Sequence, residues 1–350
     1  MTATLTLNAA LIATVVWGLA LYGVRLIRHK RLRENIEAYL YLLPAASVLL
    51  VFWFIPVVLS VIISFTDWAG ASRFSTVKWV GIANYVKAAS DAEFHKVLYN
   101  TINYVLYSVP LTLIGALVIA MVMNSNIRGR NFFRTIYFLP FITTWVAVSV
   151  VFRYVFNQHF GLANHILHTL HLPGFAWLNE PRGIFEMILR GGLGIPLPDR
   201  LHPLLAGPSL SMFTIILTSV WRDLGYFMVI FLAGLQNIDR SYYEASEIDG
   251  ASRWQQFRHI TWPLLSPTTF FILIISMIGA FKVFVPMFIM TPDGGPDRTT
   301  MSLVFYLYKV GFAVDRDMGY AAAIAYILFG IILVLTIIQN RVFGRRVHYS

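Results

Sequence analysis

The chain has 350 residues, of which 57% are hydrophobic, 15% aromatic and only 13% charged, far more apolar than a soluble domain of this length can bury. It therefore reads as an integral membrane protein. The formal net charge of +10 does not indicate nucleic acid, because the basic residues flank apolar runs as they do in cytoplasmic membrane loops, and the absence of cysteine excludes disulfides, thiolate zinc sites and cysteine nucleophiles.

A bilayer crossing needs about 20 apolar residues. Seven stretches supply one, at 5–24, 39–65, 98–123, 132–156, 209–235, 266–290 and 319–340. Arg25, Arg28, Lys30, Arg31 and Arg33 follow the first, and Arg128, Arg130 and Arg134 lie between the third and fourth. Arg240, Arg253 and Arg258 lie between the fifth and sixth, and Arg341, Arg345 and Arg346 follow the last. The alternate loops 66–97, 157–208 and 291–318 are longer and carry fewer cations, which predicts an N-terminus outside and a C-terminus inside. The first stretch has its basic cluster behind it and none ahead, the reverse of a secretory leader. Residues 1–34 are thus expected to be an additional transmembrane helix with a basic cytoplasmic linker, and 35–345 the main domain. The loop 157–208 is long for a connection and should form a small external cap, its Gly/Pro-rich part running from Gly191 to Pro208. Leu43-Pro44, Leu139-Pro140 and Trp262-Pro263 suggest three helix starts near the cytoplasmic side.

Arg222 and Asp223 fall in the middle of the fifth stretch, where each costs about 2.5–3.5 kcal/mol if it faces lipid. They must face protein or a watery path. One reading makes them, with Trp221 and Tyr226, part of a route for a polar solute; the other makes them an ion-pair network that fixes packing. Neighbours on a helix point about 100° apart, so the two need not pair with each other. Lys282, in the next stretch, either snorkels outward or meets solute or the Asp223 carboxylate. Arg153 lies close enough to the outer interface to snorkel. Trp53, Phe54, Trp145, Phe281, Phe284 and Phe288 would suit sugar faces, but also ordinary lipid contact.

Other chemistry is thin. His165, His168 and His171 recur every three residues, yet no carboxylate or cysteine sits at matching spacing, so an amphipathic cap helix with exposed imidazoles is expected rather than a metal site. No Gly-Lys pair occurs, which rules out the phosphate-cradling Walker sequence and assigns any ATP to another polypeptide. G-x-S-x-G and H-E-x-x-H are absent, which disfavours an intramembrane enzyme using Arg222, Asp223 and Lys282. A proton-coupled transporter would instead use Asp223 as its carrier.

The polar segment Tyr242 to Pro267 stands out between two apolar runs. Glu244, Ala245 and Glu247 favour helix, Gly250 allows a bend, and Ala251, Trp254, Phe257 and Ile260 recur every three residues. Two short helices with a turn are expected, on the cytoplasmic side. Small residues at Ala245, Gly250 and Ala251 leave a surface another protein can approach closely, and Glu244 and Asp249 give it fixed negative charge.

Glu244-Ala245, Asp249-Gly250-Ala251, Ile260 and Pro263 resemble the EAA loop of ABC-importer permeases. With Tyr243, Trp254, Phe257 and Thr261 the string is similar to the carbohydrate branch, the MalF/UgpA-like permeases. The runs 39–68, 79–101, 229–238, 291–296 and 319–330 resemble the same proteins in the same order. Ser246 and Trp262 depart from the pattern, as do Asp293, the region from about 181 to 208 and the N-terminal helix. The resemblance implies an all-α membrane protein with the type I ABC importer transmembrane fold, a six-helix core plus one extra N-terminal helix, in the inner or plasma membrane of a prokaryote. It implies a permease subunit, not an enzyme, that forms half of the pathway for a sugar or related polyol, or alternatively an anionic solute such as a glycerol phosphate ester. The partners implied are a homologous second permease, two ATPase subunits that bind the ATP and Mg, an extracytoplasmic solute-binding protein and membrane lipid. Carried over residue by residue, the cytoplasmic loop 237–265 couples to the ATPase, with Glu244 and Asp249 in polar contact, Gly250 at the bend, and Ala245 and Ala251 at the close approach.

Overall fold

The computed structural model describes residues 17, 23–24, 29–70, 77–125, 128–192, 203–313 and 316–342. The expected span 5–24 lies outside these apart from Trp17, Gly23 and Val24. The chain divides into two compact units, Met1–Ile63 and Ser64–Ser350. Among the described residues the structure is helical, with only isolated β-bridges such as Thr66 to Trp79.

The first unit is built on α1 (Lys30–Leu49), which opens the long apolar helix run Lys30–Ser64. Trp17 donates from Nε1 to the Leu40 carbonyl at 3.0 Å and meets Tyr41 edge-on. Pro44 lies well inside this helix rather than at its start, and a π-turn at Leu50–Phe54 follows it. Pro140 likewise sits inside a helix, so of the three expected starts only Trp262-Pro263 occupies a first turn.

The second unit contains α2 (Ala83–Ser90), α3 (Ala92–Asn124), α4 (Arg130–Ile142), α5 (Trp145–Val155), α6 (Leu162–Thr169) and α7 (Leu210–Gln236). After these come α8 (Arg240–Ile248), α9 (Arg253–Gln256), α10 (Ser266–Phe281), α11 (Val285–Met290), α12 (Leu303–Tyr308) and α13 (Met318–Val342). Among the described residues, five helices or helix runs are long and apolar enough to cross a membrane, and α4 with α5 makes a sixth candidate. The stretch 132–156 is not a single rod. It bends by 96° between α4 and α5, where Thr143 and Thr144 are both extended and the Thr144 hydroxyl accepts from the Ala147 N–H to start α5.

Helix α7 packs along α3 and against α4. Small residues permit this. Ala116 and Ala120 on α3 are fully buried beside Phe231, Leu232 and Leu235 of α7. Gly225 lies so close to α4 that a Cβ there would stand 1.8 Å from the Tyr137 carbonyl oxygen. A second apolar cluster joins α3, α7, α11, α12 and α13 through Val97, Ile215, Met287, Phe305 and Ile324.

One end of this unit is tied by polar contacts between distant segments. Asp91 caps α3 by accepting from the Glu93 N–H, and its other oxygen accepts from the Tyr306 hydroxyl at 2.6 Å and the Tyr320 hydroxyl at 2.7 Å. Lys87 pairs with Asp317 at 2.9 Å, Arg298 pairs with Glu93 at 3.0 Å, and Asn100 donates to the carbonyls of Arg298 and Met301. The loops 66–97 and 291–318 therefore meet at one end of the bundle, and Arg153 of α5 donates to the Ile289 carbonyl of α11. Burial pushes the Asp91 carboxyl up, but the two phenols and the N–H groups of Glu93 and Phe94 outweigh it and hold the group below its ordinary value. A depressed carboxylate stabilises the fold above its unfolded pKa of about 3.9, and that contribution is lost as pH falls through the lower folded value. Asp91→Asn is expected to cost about 1.5–3 kcal/mol at pH 7, the worth of hydrogen bonds to a charged group. Thermal unfolding in detergent should show that deficit closing as the pH falls from the unfolded value of about 3.9 through the lower folded one.

Candidate functional site

Two places hold the residues expected to carry function: a handle at one end of α7 and a cavity along its length. Helix α7 is 27 residues long, about 40 Å, so its last turn and the handle lie far from the end tied by Asp91.

In the handle, α8 begins at Asp239, whose carboxylate accepts from the Ser241 N–H. It ends in a Schellman turn: Gly250 has φ +75°, its N–H bonds to the Glu247 carbonyl and the Ala251 N–H to the Ser246 carbonyl. Ser252 then opens α9 with a reciprocal capping box to Gln255. A π-turn at Phe257–Thr261 leads to Trp262–Leu264. The two arms are locked together, since Tyr243 and Thr261 share a hydroxyl hydrogen bond at 2.9 Å and Gln256 donates to Ser246 Oγ at 3.0 Å. Ser246, where the EAA pattern has its second alanine, thus supplies the acceptor that closes the handle. Glu244, Ala245, Asp249 and Gly250 are exposed, whereas Ala251, Ile260 and Pro263 are half-buried. Ile248 is 88% exposed and Trp254 67%, an uncovered apolar face on an otherwise polar element.

The cavity holds about 430 Å³, within the usual range for small-molecule sites, and its wall includes Tyr104, Phe141, Trp145, Tyr226, Lys282 and Phe284 together with Arg222 and Asp223. Arg222 and Asp223, which could have faced apart, form an ion pair at 2.6 Å. The flexible Arg222 stem wraps back to reach its neighbour. A second nitrogen of the same guanidinium donates to the Phe141 carbonyl at 3.1 Å, in the last turn of α4, and the group lies 4.2 Å from the Trp145 ring centroid at the start of α5. Tyr226 stacks on Phe141 with centroids 4.4 Å apart. Lys282 follows the last turn of α10 and is exposed, and no ion pair links it to Asp223 among the described residues. Trp221 does not line this cavity; it is 49% exposed and rests against Phe152. Gly225 and the Thr143-Thr144 break, which bring the Phe141 carbonyl to Arg222, are marked by no local sequence pattern.

The histidines make no centre. His165 and His168 are exposed on α6, while His171 lies beyond its end at φ 59°, and among the described residues no group of potential ligands could hold a metal ion.

A family model described as "Binding-protein-dependent transport system inner membrane component" matches residues 96–349. The chain belongs to this family. It is therefore a permease subunit of an ABC importer, a multi-pass protein of the inner membrane that works with a binding protein, with ATP hydrolysis on a separate subunit. The permease is 32% identical over 308 residues to the arabinooligosaccharides transport system permease protein AraP of Bacillus subtilis, covering 87% of this chain and 88% of that one. It is 31% identical over 309 residues to the lactose transport system permease protein LacF of Rhizobium radiobacter, covering 87% and 92%. Its fold is similar to that in a crystal structure of a bacterial ABC transporter involved in the import of the acidic polysaccharide alginate. That match has a TM-score of 0.73 and 21% identity, over 90% of this chain and 98% of the other.

Proposed function

We propose that this permease forms half of the pathway by which a sugar or related polyol is imported, the other half being a homologous second permease. Two ATPase subunits dock on the loop 237–265, and an extracytoplasmic binding protein delivers solute at the end tied by Asp91. The observation that carries the reading is the handle itself, an exposed helix–turn–helix whose arms are bonded to each other and which lies at the far end of α7. Such an element moves as one piece, so closure of the ATPase pair below it turns into a tilt of α7 and α10, which it joins. The spans then rock about a site near their middle. Glu244 and Asp249 make the polar contacts, Gly250 sets the bend, Ala245 and Ala251 allow close approach, and Ile260 and Pro263 seat the second arm. Arg222, Asp223, Tyr226 and Lys282 face the solute path, and the aromatic walls of the cavity suit sugar rings. The names of AraP and LacF support a carbohydrate.

The test is uptake in vesicles containing both permeases and the ATPase subunits, with the binding protein added outside and labelled sugars as solutes. Accumulation that requires ATP and the binding protein is expected. Uptake that survives removal of the ATPase and collapses with a proton uncoupler would overturn the reading in favour of an Asp223 proton carrier.

A further inference from the structure

We infer that the cavity beside α7 takes a hydroxylated solute bearing one acidic group, with the Lys282 ammonium as the charge that selects it. This rests on the proposed carbohydrate pathway and narrows its substrate class. The first observation is the balance of charge. Arg222 and Asp223 satisfy each other at 2.6 Å, which leaves Lys282 as the charged side chain on the cavity wall without an ion pair among the described residues. The second is the kind of group that Lys282 can meet. The Arg222 guanidinium is already used by Asp223 and the Phe141 carbonyl, and its Nε is buried out of a solute's reach. An ammonium has donors and no acceptor capacity, so a group that meets Lys282 must accept. A carboxylate or a phosphate does so with a charge that matches Lys282. The third is the apolar part of the wall: Phe141, Trp145, Tyr226 and Phe284 line the same space, which suits the C–H groups of a sugar or polyol rather than a bare inorganic anion.

A lysine within an apolar span is kept where it faces a path or a partner, or where its stem carries the ammonium out to the interface. The two roles differ in what the side chain does to selectivity. A snorkelling lysine is indifferent to the charge of the solute; a selecting lysine is not. Carboxylate and phosphate share the acceptor chemistry, and the choice between them is an outcome of the experiment.

The complete importer in vesicles, with its own binding protein, should be given a panel of mono- to trisaccharides, the corresponding uronates, and glycerol and hexose phosphates. Wild type is expected to prefer an acid-bearing member over its neutral counterpart by about tenfold or more, the size of one lost charge contact. Lys282→Met should reduce that preference by about tenfold, mainly through a higher KM for the acid, and Lys282→Arg should keep it. Preference for a uronate identifies a carboxylate ligand, and preference for a phosphate identifies an ester. Preference of wild type for neutral sugars, or a ratio unchanged in Lys282→Met, overturns the inference while leaving the carbohydrate pathway standing. ATP-dependent uptake of none of the panel overturns both.

Discussion

Gly250→Trp should abolish ATP-driven uptake by an importer that still assembles. Gly250 occupies the left-handed position of the turn that ends α8, and a Cβ built there meets nothing within 4 Å. A larger side chain therefore starts out into open space. It projects from the exposed tip of the handle into the space that the proposed ATPase contact would occupy. The backbone cost of a non-glycine residue at that φ is about 1–2 kcal/mol, confined to a surface turn. Gly250→Ala carries the same backbone cost without the indole, which separates strain from obstruction. Expected for Gly250→Trp are normal insertion and co-purification of the second permease, with binding-protein-stimulated ATP hydrolysis down by roughly 100-fold, about 2.7 kcal/mol of lost coupling. Gly250→Ala should retain most of the stimulation. Normal uptake by the Trp variant would remove the coupling role from this loop, and equal damage from Ala would assign the effect to backbone strain.

The handle was the most legible part of the molecule. A polar segment between charge-free runs is hard to misplace, and its helix-forming residues, its glycine and its three-residue apolar repeat each mark a local geometry that forms without help from the rest of the chain. The lock between its arms was less so. Ser246 looked like a departure from a pattern, and only the position of Gln256 ten residues on shows what the hydroxyl does. Within the described residues, span placement was legible from hydropathy, but the 96° bend was not, because Thr143 and Thr144 are apolar enough to pass within a continuous run and their extended backbone depends on what packs around them. The end of the bundle held by Asp91 was invisible for another reason. Its partners Tyr306 and Tyr320 lie more than 200 residues away, and no local periodicity reports a contact of that kind.

Arg222→Ala is expected to damage the fold as well as transport, because Arg222 serves two masters. Its guanidinium neutralises Asp223, donates to the last turn of α4 and stacks on Trp145 at the start of α5, so it braces both sides of the bend from α7. Only 11% of its side chain is exposed, against 29% for Asp223. Deleting one member of a buried pair costs about 3–5 kcal/mol, and the partial exposure of Asp223 brings the expected loss to about 2–3 kcal/mol. Arg222→Lys keeps the charge but loses the planar fork and the stacking, so it should recover only part of the loss. Arg222→Met with Asp223→Leu removes both charges together and should recover most of the stability, since a pair replaced by apolar residues of similar volume is often neutral. Thermal unfolding of the purified complex, measured across the two single variants and the double, gives the coupling between the residues directly. If Arg222→Ala leaves the unfolding midpoint unchanged and alters only KM, the bracing role is lost and Arg222 is a solute contact alone. A midpoint restored in the double variant while uptake stays impaired would divide the two roles, with the bend held by packing once the charges are gone and the solute path still short of a donor.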